Sequence, residues 1–129
     1  MIQPIPEMTE TVATKVLDAA FLVHRALGPG LLESVYETCL CHELAKAHIC
    51  FQRQLALSII YDGIRLEAGL RIDILVDELV VVELKAIDGL LPLHEAQILT
   101  YLKLSEKRLG LLINFNVPKL KDGIKRIVL

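Results

Sequence analysis

Residues 80–86, which read VVVELKA, are the feature that most constrains how this chain can fold. Three consecutive valines are typical of a strand that is buried on both faces, and such a strand lies in the interior of a sheet. Glu83 and Lys85 follow at once, and because alternate side chains of a strand point the same way, both emerge on one face. Burying two charges is costly unless each finds a partner, so this strand predicts a site that supplies those partners.

The remainder of the chain alternates between helical and strand-like patterns. Helical spacing predicts a first helix capped by Thr9 or Thr11, followed by helices at about residues 31–47 and 93–106. Alternating patterns predict strands at about residues 54–61, 64–76, 79–86, 110–115 and 124–129, the first two joined by an Asp-Gly turn. Two helices, three strands, a helix and two strands, in this order, predict an α/β sandwich with a mixed sheet, formed as one domain over residues 1–129.

The composition excludes several classes of protein. With 129 residues, 53% of them hydrophobic and 23% charged, the chain is typical of a folded domain rather than a disordered one. No apolar run approaches the roughly 18–20 residues that span a bilayer, and the start lacks the pattern of a secretion signal. Cys39, Cys41 and Cys50 are odd in number and lack zinc-site spacing, which favours free thiols in a reducing compartment. We therefore expect a soluble cytoplasmic protein with no membrane partner.

The distribution of charge leaves two interpretations open. The net charge of −2 does not indicate a protein that binds polyanions over its whole surface, but seven basic residues and only two acidic ones lie from Lys103 onward. This basic C-terminal quarter could face phosphates. It could equally be a charged edge strand that discourages aggregation.

Asp73, Glu83 and Lys85 are the residues best suited to carry chemistry. Two carboxylates on neighbouring strands can hold Mg²⁺ together with waters and a substrate phosphate. Lys85 could orient an attacking water and offset the charge that builds up on the phosphate, as in a metal-dependent phosphodiesterase. The alternative is a structural carboxylate–lysine pair at a sheet edge, which the valine run argues against.

The loop between the second and third strands decides whether this site can exist. A two-residue turn at Asp77 and Glu78 would place Asp73 and Glu83 on opposite faces of the sheet. A three- or five-residue loop, or one bulge, would place them opposite each other on one face, and we predict this odd loop. Continuous alternation along the second strand would also give Arg71 the same face as Asp73.

Two helices could bring further residues to the site. The second helix is predicted to bury Val35 and Tyr36, and Glu33 on the Tyr36 face could reach the metal, although a carboxylate in a first turn also favours the helix dipole. Gln97 and Tyr101, four residues apart on the third helix, could contact a substrate backbone. Ordinary amphipathic packing explains the spacing of the latter pair equally well.

Together these segments resemble a known family. GLLESVY at residues 30–36 matches the signature of the GxxExxY protein family, small bacterial and archaeal proteins assigned to the PD-(D/E)XK nuclease superfamily. The resemblance covers about residues 9–128 and includes VELKA, HEAQILTYL and LGLLINFNVPKLKDGIKRIV, in that order. It implies a restriction-endonuclease-like α/β sandwich, whose core is a helix, a three-stranded antiparallel meander, a helix and a further strand.

The resemblance also assigns roles to individual residues. Those implied to bind metal or to act in catalysis are Asp73 as the first metal-binding aspartate, Glu83 and Lys85 as the E-x-K element, and Glu33 as the acidic residue of the preceding helix. Gln97 and Tyr101 resemble the Q-x-x-x-Y motif of RecB-type nucleases and would contact the substrate, with Arg71 beside them. Ile72 stands where some members of the superfamily have proline.

Two functions follow as hypotheses. The first is a Mg²⁺- or Mn²⁺-dependent nuclease that hydrolyses phosphodiester bonds, with DNA a better candidate substrate than RNA. The alternative is a catalytically silent nuclease-fold protein that binds nucleic acid or a protein partner, because membership of a fold does not establish activity. The abundance of Leu, Ile and Val also suggests a homodimer, which would give a small nuclease one site for each strand of a duplex.

Overall fold

The computed structural model of the protein describes residues 3–129. Its elements are α1 (Glu7–Leu27), α2 (Glu33–Lys46), β1 (Phe51–Tyr61), β2 (Ile64–Val76), β3 (Val80–Lys85), α3 (Pro92–Ser105), β4 (Leu109–Asn114), a 3-10 turn (Leu120–Gly123) and β5 (Ile124–Val128). The predicted order of elements is confirmed. Among the described residues, no helix combines the length and the apolar character needed to cross a membrane.

The strands form one mixed sheet in the order β1-β2-β3-β4-β5. β3 and β4 are parallel, and the other three neighbouring pairs are antiparallel. β3 therefore lies at the centre of the sheet, and its three valines are each 0% exposed, as the valine run predicts. Helices α1 and α2 contribute to an apolar core on one face, whereas Ile98 and Leu102 of α3 contribute to a second core on the other face.

Two details of the helices differ from the prediction. α1 begins at Glu7 after Pro6, and Thr11 bonds back to the Glu7 carbonyl instead of capping the helix. α2 buries Tyr36 but leaves Val35 exposed, because the helix turns its Tyr36 and Glu37 side toward the sheet. The rotation brings a carboxylate inward where an apolar side chain was expected.

Both turns of the β1–β2–β3 meander have backbone geometry suited to tight reversals. Asp62 and Gly63 have φ angles of 50° and 75°, so they form the predicted two-residue hairpin turn between Tyr61 and Ile64. Three residues, 77–79, connect β2 to β3, and the first two have left-handed φ angles of 52° and 59°.

The odd loop sets the register that the sequence requires. Ile74 lies opposite Val82 and Val76 opposite Val80, so paired residue numbers sum to 156 (74 + 82). The prediction of an odd loop is therefore confirmed. Continuing this register by one step would bring Asp73 to the level of Glu83, but the paired residues end at Ile74 and Val82.

Candidate active site

The regular geometry of β2 breaks at Asp73. Ile72 and Leu75 belong to the α3-side core, whereas Ile74 belongs to the core under α1 and α2. Side chains of an unbroken strand alternate between faces, so residues 72 and 74 should share a face, and they do not. The predicted continuous alternation along this strand is therefore wrong. On β1, the facing residue Gln54 has a left-handed φ of 51°, which places an irregularity in both strands at one level.

The two carboxylates replace the backbone hydrogen bonds that the break removes. Paired residues of β2 and β3 extend only as far as Ile74 and Val82. Beyond that point, the Asp73 N–H donates to Oε1 of Glu83 at 3.0 Å, and the Leu84 N–H donates to Oδ2 of Asp73 at 2.8 Å. Both the buried carboxylate of Glu83 and the partly buried one of Asp73 thus have a backbone partner, and each strand is held to the other by a side chain.

Burial and mutual repulsion shift the acidities of both groups. Burial is the main cause that raises the pKa of Glu83 to about 8, and the negative charge of Asp73 adds to it. Burial also raises the pKa of Asp73, where Glu37 is a further cause. Lys85 acts against both shifts but does not cancel them. Without a cation, Glu83 therefore holds a proton at neutral pH, because the surrounding protein compensates its ionisation beside Asp73 only in part.

Lys85 shares a face of the sheet with Glu83. Val82 and Leu84 pack into the core on the α1–α2 side, so the residues that alternate with them face α3. The side chain of Lys85 is partly exposed at the end of β3, next to Asn114 of the parallel strand β4. An ammonium and a carboxylate thus emerge together where the central strand ends.

The backbone around Lys85 is fixed by β4. The Lys85 carbonyl accepts a hydrogen bond of 2.9 Å from the Phe115 N–H. Asn114 is 1% exposed; its Oδ1 accepts from the N–H groups of Ile87 (3.1 Å) and Asn116 (3.2 Å), and its Nδ2 donates to the Ile87 carbonyl (3.0 Å). The sequence reasoning missed this residue, although a polar side chain that ends a buried strand is an available signal.

We expect Asn114→Ala to lower the free energy of unfolding by about 2–4 kcal/mol, because it leaves buried N–H and C=O groups of the loop without partners. Urea denaturation measures this loss. Asn116→Ala is the matched control, since its side chain gives a single bond of 3.3 Å to the Ile87 carbonyl. The control should lose no more than about 1.5 kcal/mol. Equal losses in the two variants would contradict the role given to Asn114.

A cavity of about 520 Å³ adjoins Asp73 on the α2 side. Its lining includes Glu33 and Glu37 of α2, Gln54 of β1, and Asp73 itself. The structure thus brings Glu33 and Asp73 to one cavity. Leu84 lines this cavity, whereas Glu83 and Lys85 alternate with it onto the opposite face. Asp73, at the break, lines the cavity on the α2 side and also bonds through its N–H to Glu83, which faces α3.

Glu37 was not predicted, yet it is linked more directly to Asp73 than Glu33 is. Its carboxylate is buried and accepts from Nε (3.1 Å) and Nη2 (2.8 Å) of Arg53. Gln54 donates to Glu37 at 2.8 Å and to Oδ1 of Asp73 at 3.4 Å, so one amide joins the two acids. The signal was available, because a residue four positions after Glu33 lies on the same face of a helix.

Tyr36, the last residue of the GLLESVY segment, has a structural task. Its hydroxyl donates to the Gly28 carbonyl at 2.7 Å and accepts from the Leu31 N–H at 3.1 Å. Its ring stacks on Phe115 with a centroid distance of 4.5 Å. Tyr36 therefore fixes the loop that leads into α2, and this loop positions Glu33 at the cavity.

Two of the three predicted substrate-binding residues, Gln97 and Tyr101, lie on α3, whereas Arg71 alternates with Leu70 and Ile72 onto the opposite face of the sheet. Tyr101 is partly buried, and burial followed by the charges of Glu83 and Asp73 raises the pKa of its phenol, which places it near both carboxylates. Gln97 is exposed and lines a cavity of about 180 Å³ together with Tyr101. Arg71 is exposed, and its Nη1 donates to the backbone carbonyl of Gln54 at 3.3 Å.

The donor set suits a hard divalent cation that completes its shell with other oxygens. Within residues 3–129, no three His, Cys, Asp or Glu side chains are grouped closely enough to enclose an ion. Asp73 and Glu83 remain as a pair of adjacent carboxylates whose repulsion a cation would relieve. Mg²⁺ is commonly held by one or two carboxylates, with waters and substrate phosphates as its other ligands, so these residues fit it.

Comparison with known proteins gives one match. A family model described as the PD-(D/E)XK nuclease superfamily matches residues 10–127. This range includes the meander, the break at Asp73, and the strand that carries Glu83 and Lys85. No curated protein and no solved structure matches the chain significantly.

Proposed function

The chain belongs to the PD-(D/E)XK nuclease superfamily, and we propose that it is a Mg²⁺- or Mn²⁺-dependent nuclease that hydrolyses phosphodiester bonds of DNA. The observation that carries this proposal is the pair of adjacent carboxylates, Asp73 and Glu83, at the break between β2 and β3, with Lys85 two residues beyond Glu83. A purely structural ion pair would not need two acids that repel each other. Both acids are instead held in place by backbone N–H groups, which is an arrangement that can receive a cation.

Each residue of the site has its own role in the proposed reaction. Asp73 and Glu83 hold the ion, which when bound supplies positive charge for the phosphate and favours attack by water. Lys85, on the Glu83 face, orients the attacking water and stabilises the charge that develops on the phosphate oxygens. Because the backbone of Lys85 is tied to β4, its side chain leaves the sheet from a fixed point.

Residues outside this centre would position the substrate. Gln97 and Tyr101 of α3 contact the nucleic-acid backbone beside the carboxylates, and Arg71 contributes a further cation for phosphate. Glu33 assists from the α2 side, through the ion or through a water. A homodimer would offer one such site to each strand of a duplex.

Two finer assignments complete the proposal. Within the superfamily, we place the chain in the GxxExxY group, on the residues Gly30, Glu33 and Tyr36. We also assign it to the cytoplasm, which the three cysteines support, since all three are free thiols in the structure.

Mn²⁺ binding tests the proposed metal site without requiring a known substrate. In calorimetric titrations, Asp73→Asn and Glu83→Gln should each weaken Mn²⁺ binding by about 10–100-fold or more, because each removes one of two charged ligands. Asp88→Asn, an exposed acid just after β3, is the matched control and should bind as the wild type does. If both site variants bound Mn²⁺ with unchanged affinity, the proposed metal site would be wrong.

The two acids of α2 that line the cavity, Glu33 and Glu37, should differ in their effects on Mn²⁺ binding and on stability. Glu33 is exposed, so Glu33→Gln should weaken Mn²⁺ binding but leave the unfolding free energy within about 0.5 kcal/mol of wild type. Glu37→Gln breaks a partly buried pair with Arg53 and should lower the unfolding free energy by about 1–3 kcal/mol. Unchanged Mn²⁺ affinity in Glu33→Gln would remove this residue from the site.

A further inference from the structure

The two edges of the sheet are protected very differently. β5 is five residues long and carries Lys125 and Arg126, and the latter is paired with Glu10 of α1 at 2.6 Å. β1 is eleven residues long and reads FQRQLALSIIY, so Arg53 is its one charged residue, and it contains no proline. Natural sheets usually protect their edges with short strands, lysines or prolines, because an open edge pairs with other strands.

From this contrast we propose that β1 pairs antiparallel with β1 of a second copy of the chain, across a two-fold axis at Leu57. The sheets of the two copies would then join into one continuous sheet of ten strands. A two-fold interface must be complementary to itself, because every contact occurs twice. The order of residues in β1 meets this condition.

The residues on the two sides of Leu57 are similar in character, so two antiparallel copies of the strand place like residues opposite each other. Leu55 of one copy faces Ile59 of the other, so the apolar side chains on the α3 side continue from one copy to the next. On the other face, Ala56 lies beside Ser58 of the other copy, and both side chains are small enough for strands to approach. This symmetry favours a second copy over an unrelated strand.

Arg53, the one charged residue of β1, is also compatible with this pairing. The guanidinium of Arg53 is held by Glu37 of α2 at 2.8 Å and precedes the break at Gln54, so it stays outside the paired segment. Two arginines would meet only in a register shifted toward the start of the strand. The left-handed φ of Gln54 disturbs the strand there. The register also shifts between Leu57 and Ile59, but the extra residues lie on β2, so residues 55–61 of β1 keep extended φ angles and are available for pairing.

The end of the β1–β2 hairpin supplies apolar surface beside this edge. Tyr61 lies opposite Ile64 and Ile59 opposite Leu66, and alternation places all four on one face. Three of them, Tyr61, Ile64 and Leu66, are 70%, 57% and 43% exposed. Pairing at Leu57 would bring this apolar end of each hairpin next to the start of β1 in the other copy.

Sedimentation equilibrium on the full chain tests the proposal directly. The wild type should show twice the 14.4 kDa mass of one chain. The double variant Ala56→Lys/Ser58→Lys should be monomeric, because four ammonium groups would meet across the pairing. The corresponding double glutamate variant should be monomeric for the same reason. A control with the same added charge, Ala26→Lys/Ala45→Lys, alters exposed positions on α1 and α2 and should remain dimeric.

Mixing the two monomeric variants distinguishes edge pairing from a general effect of charge or misfolding. An equimolar mixture should recover the dimer, because each lysine then faces a glutamate of the other variant. Circular dichroism of each variant alone should match the wild type. A monomeric wild type throughout the micromolar range would overturn the proposal, as would a dimer that persists in both charged variants or a mixture that stays monomeric.

Discussion

Replacing Lys85 with alanine is expected to lower the rate of metal-dependent DNA cleavage by about 10²–10³-fold, the usual cost of removing one group that stabilises charge in a transition state. Mn²⁺ affinity should be retained or increased, because the variant removes a cation from beside Glu83 and Asp73. Single-turnover cleavage and calorimetry measure the two effects separately. A loss of rate with retained binding is the signature of a residue that acts on the substrate rather than on the ion.

A matched lysine provides the control for this result. Lys103→Ala removes an exposed ammonium from α3 and should change the cleavage rate by no more than about twofold, within the range of surface substitutions. If Lys85→Ala and Lys103→Ala cleaved at the wild-type rate, Lys85 would have no part in catalysis. A loss of Mn²⁺ binding in Lys85→Ala would instead show that this residue organises the carboxylates.

The metal-free protein should lose stability as pH rises through neutrality, and Glu83→Gln should remove this dependence. The folded state raises the pKa of Glu83 from 4.5 to about 8, so it binds a proton that the unfolded chain has already released in this range. Stability therefore falls between about pH 4.5 and 8 as the buried group is forced to ionise. The full effect is on the order of a few kcal/mol.

Urea denaturation in EDTA at pH 5, 6.5 and 8 measures this dependence. Glu83→Gln should be more stable than wild type at pH 8 and similar to it near pH 5, because the amide cannot ionise. Mn²⁺ should restore stability to the wild type at pH 8, since an ion that binds only the folded state favours it. Glu106→Gln, at an exposed position after α3, should keep the wild-type profile. Parallel profiles for wild type and Glu83→Gln would contradict the assignment of the shift to Glu83.

The fold could be predicted from the sequence wherever a local pattern is compatible with only one structure. The valine run predicted a central strand because a strand buried on both faces cannot lie at an open edge, and Val80 is 0% exposed. The register of β2 on β3 followed from loop parity, since a shift of one residue reverses every side chain, although Asp73 lies beyond the last paired residue. The Asp-Gly turn followed from the left-handed φ angles that such turns need.

The parts that were not predicted depend on contacts between distant segments, although Glu37 and Asn114 each left a weak signal in the sequence. Continuous alternation along β2 was the natural expectation, but the strand breaks at Asp73, where side-chain oxygens take over two backbone hydrogen bonds. Glu37 was missed because the rotation of α2 is set by how Tyr36 packs on Phe115, which lies far along the chain. Asn114 was missed because its partners lie in a loop that follows another strand.

Cleavage of a panel of single-stranded DNA, duplex DNA, branched DNA and RNA tests the central claim most directly. The wild type would be compared with Asp73→Asn, each with Mg²⁺, Mn²⁺ or EDTA. We expect the wild type to cleave at least one DNA substrate, in a reaction that requires the divalent ion and that Asp73→Asn abolishes. Equal background from both proteins on every substrate, with and without metal, would contradict catalysis by this site and leave a binding role for the fold.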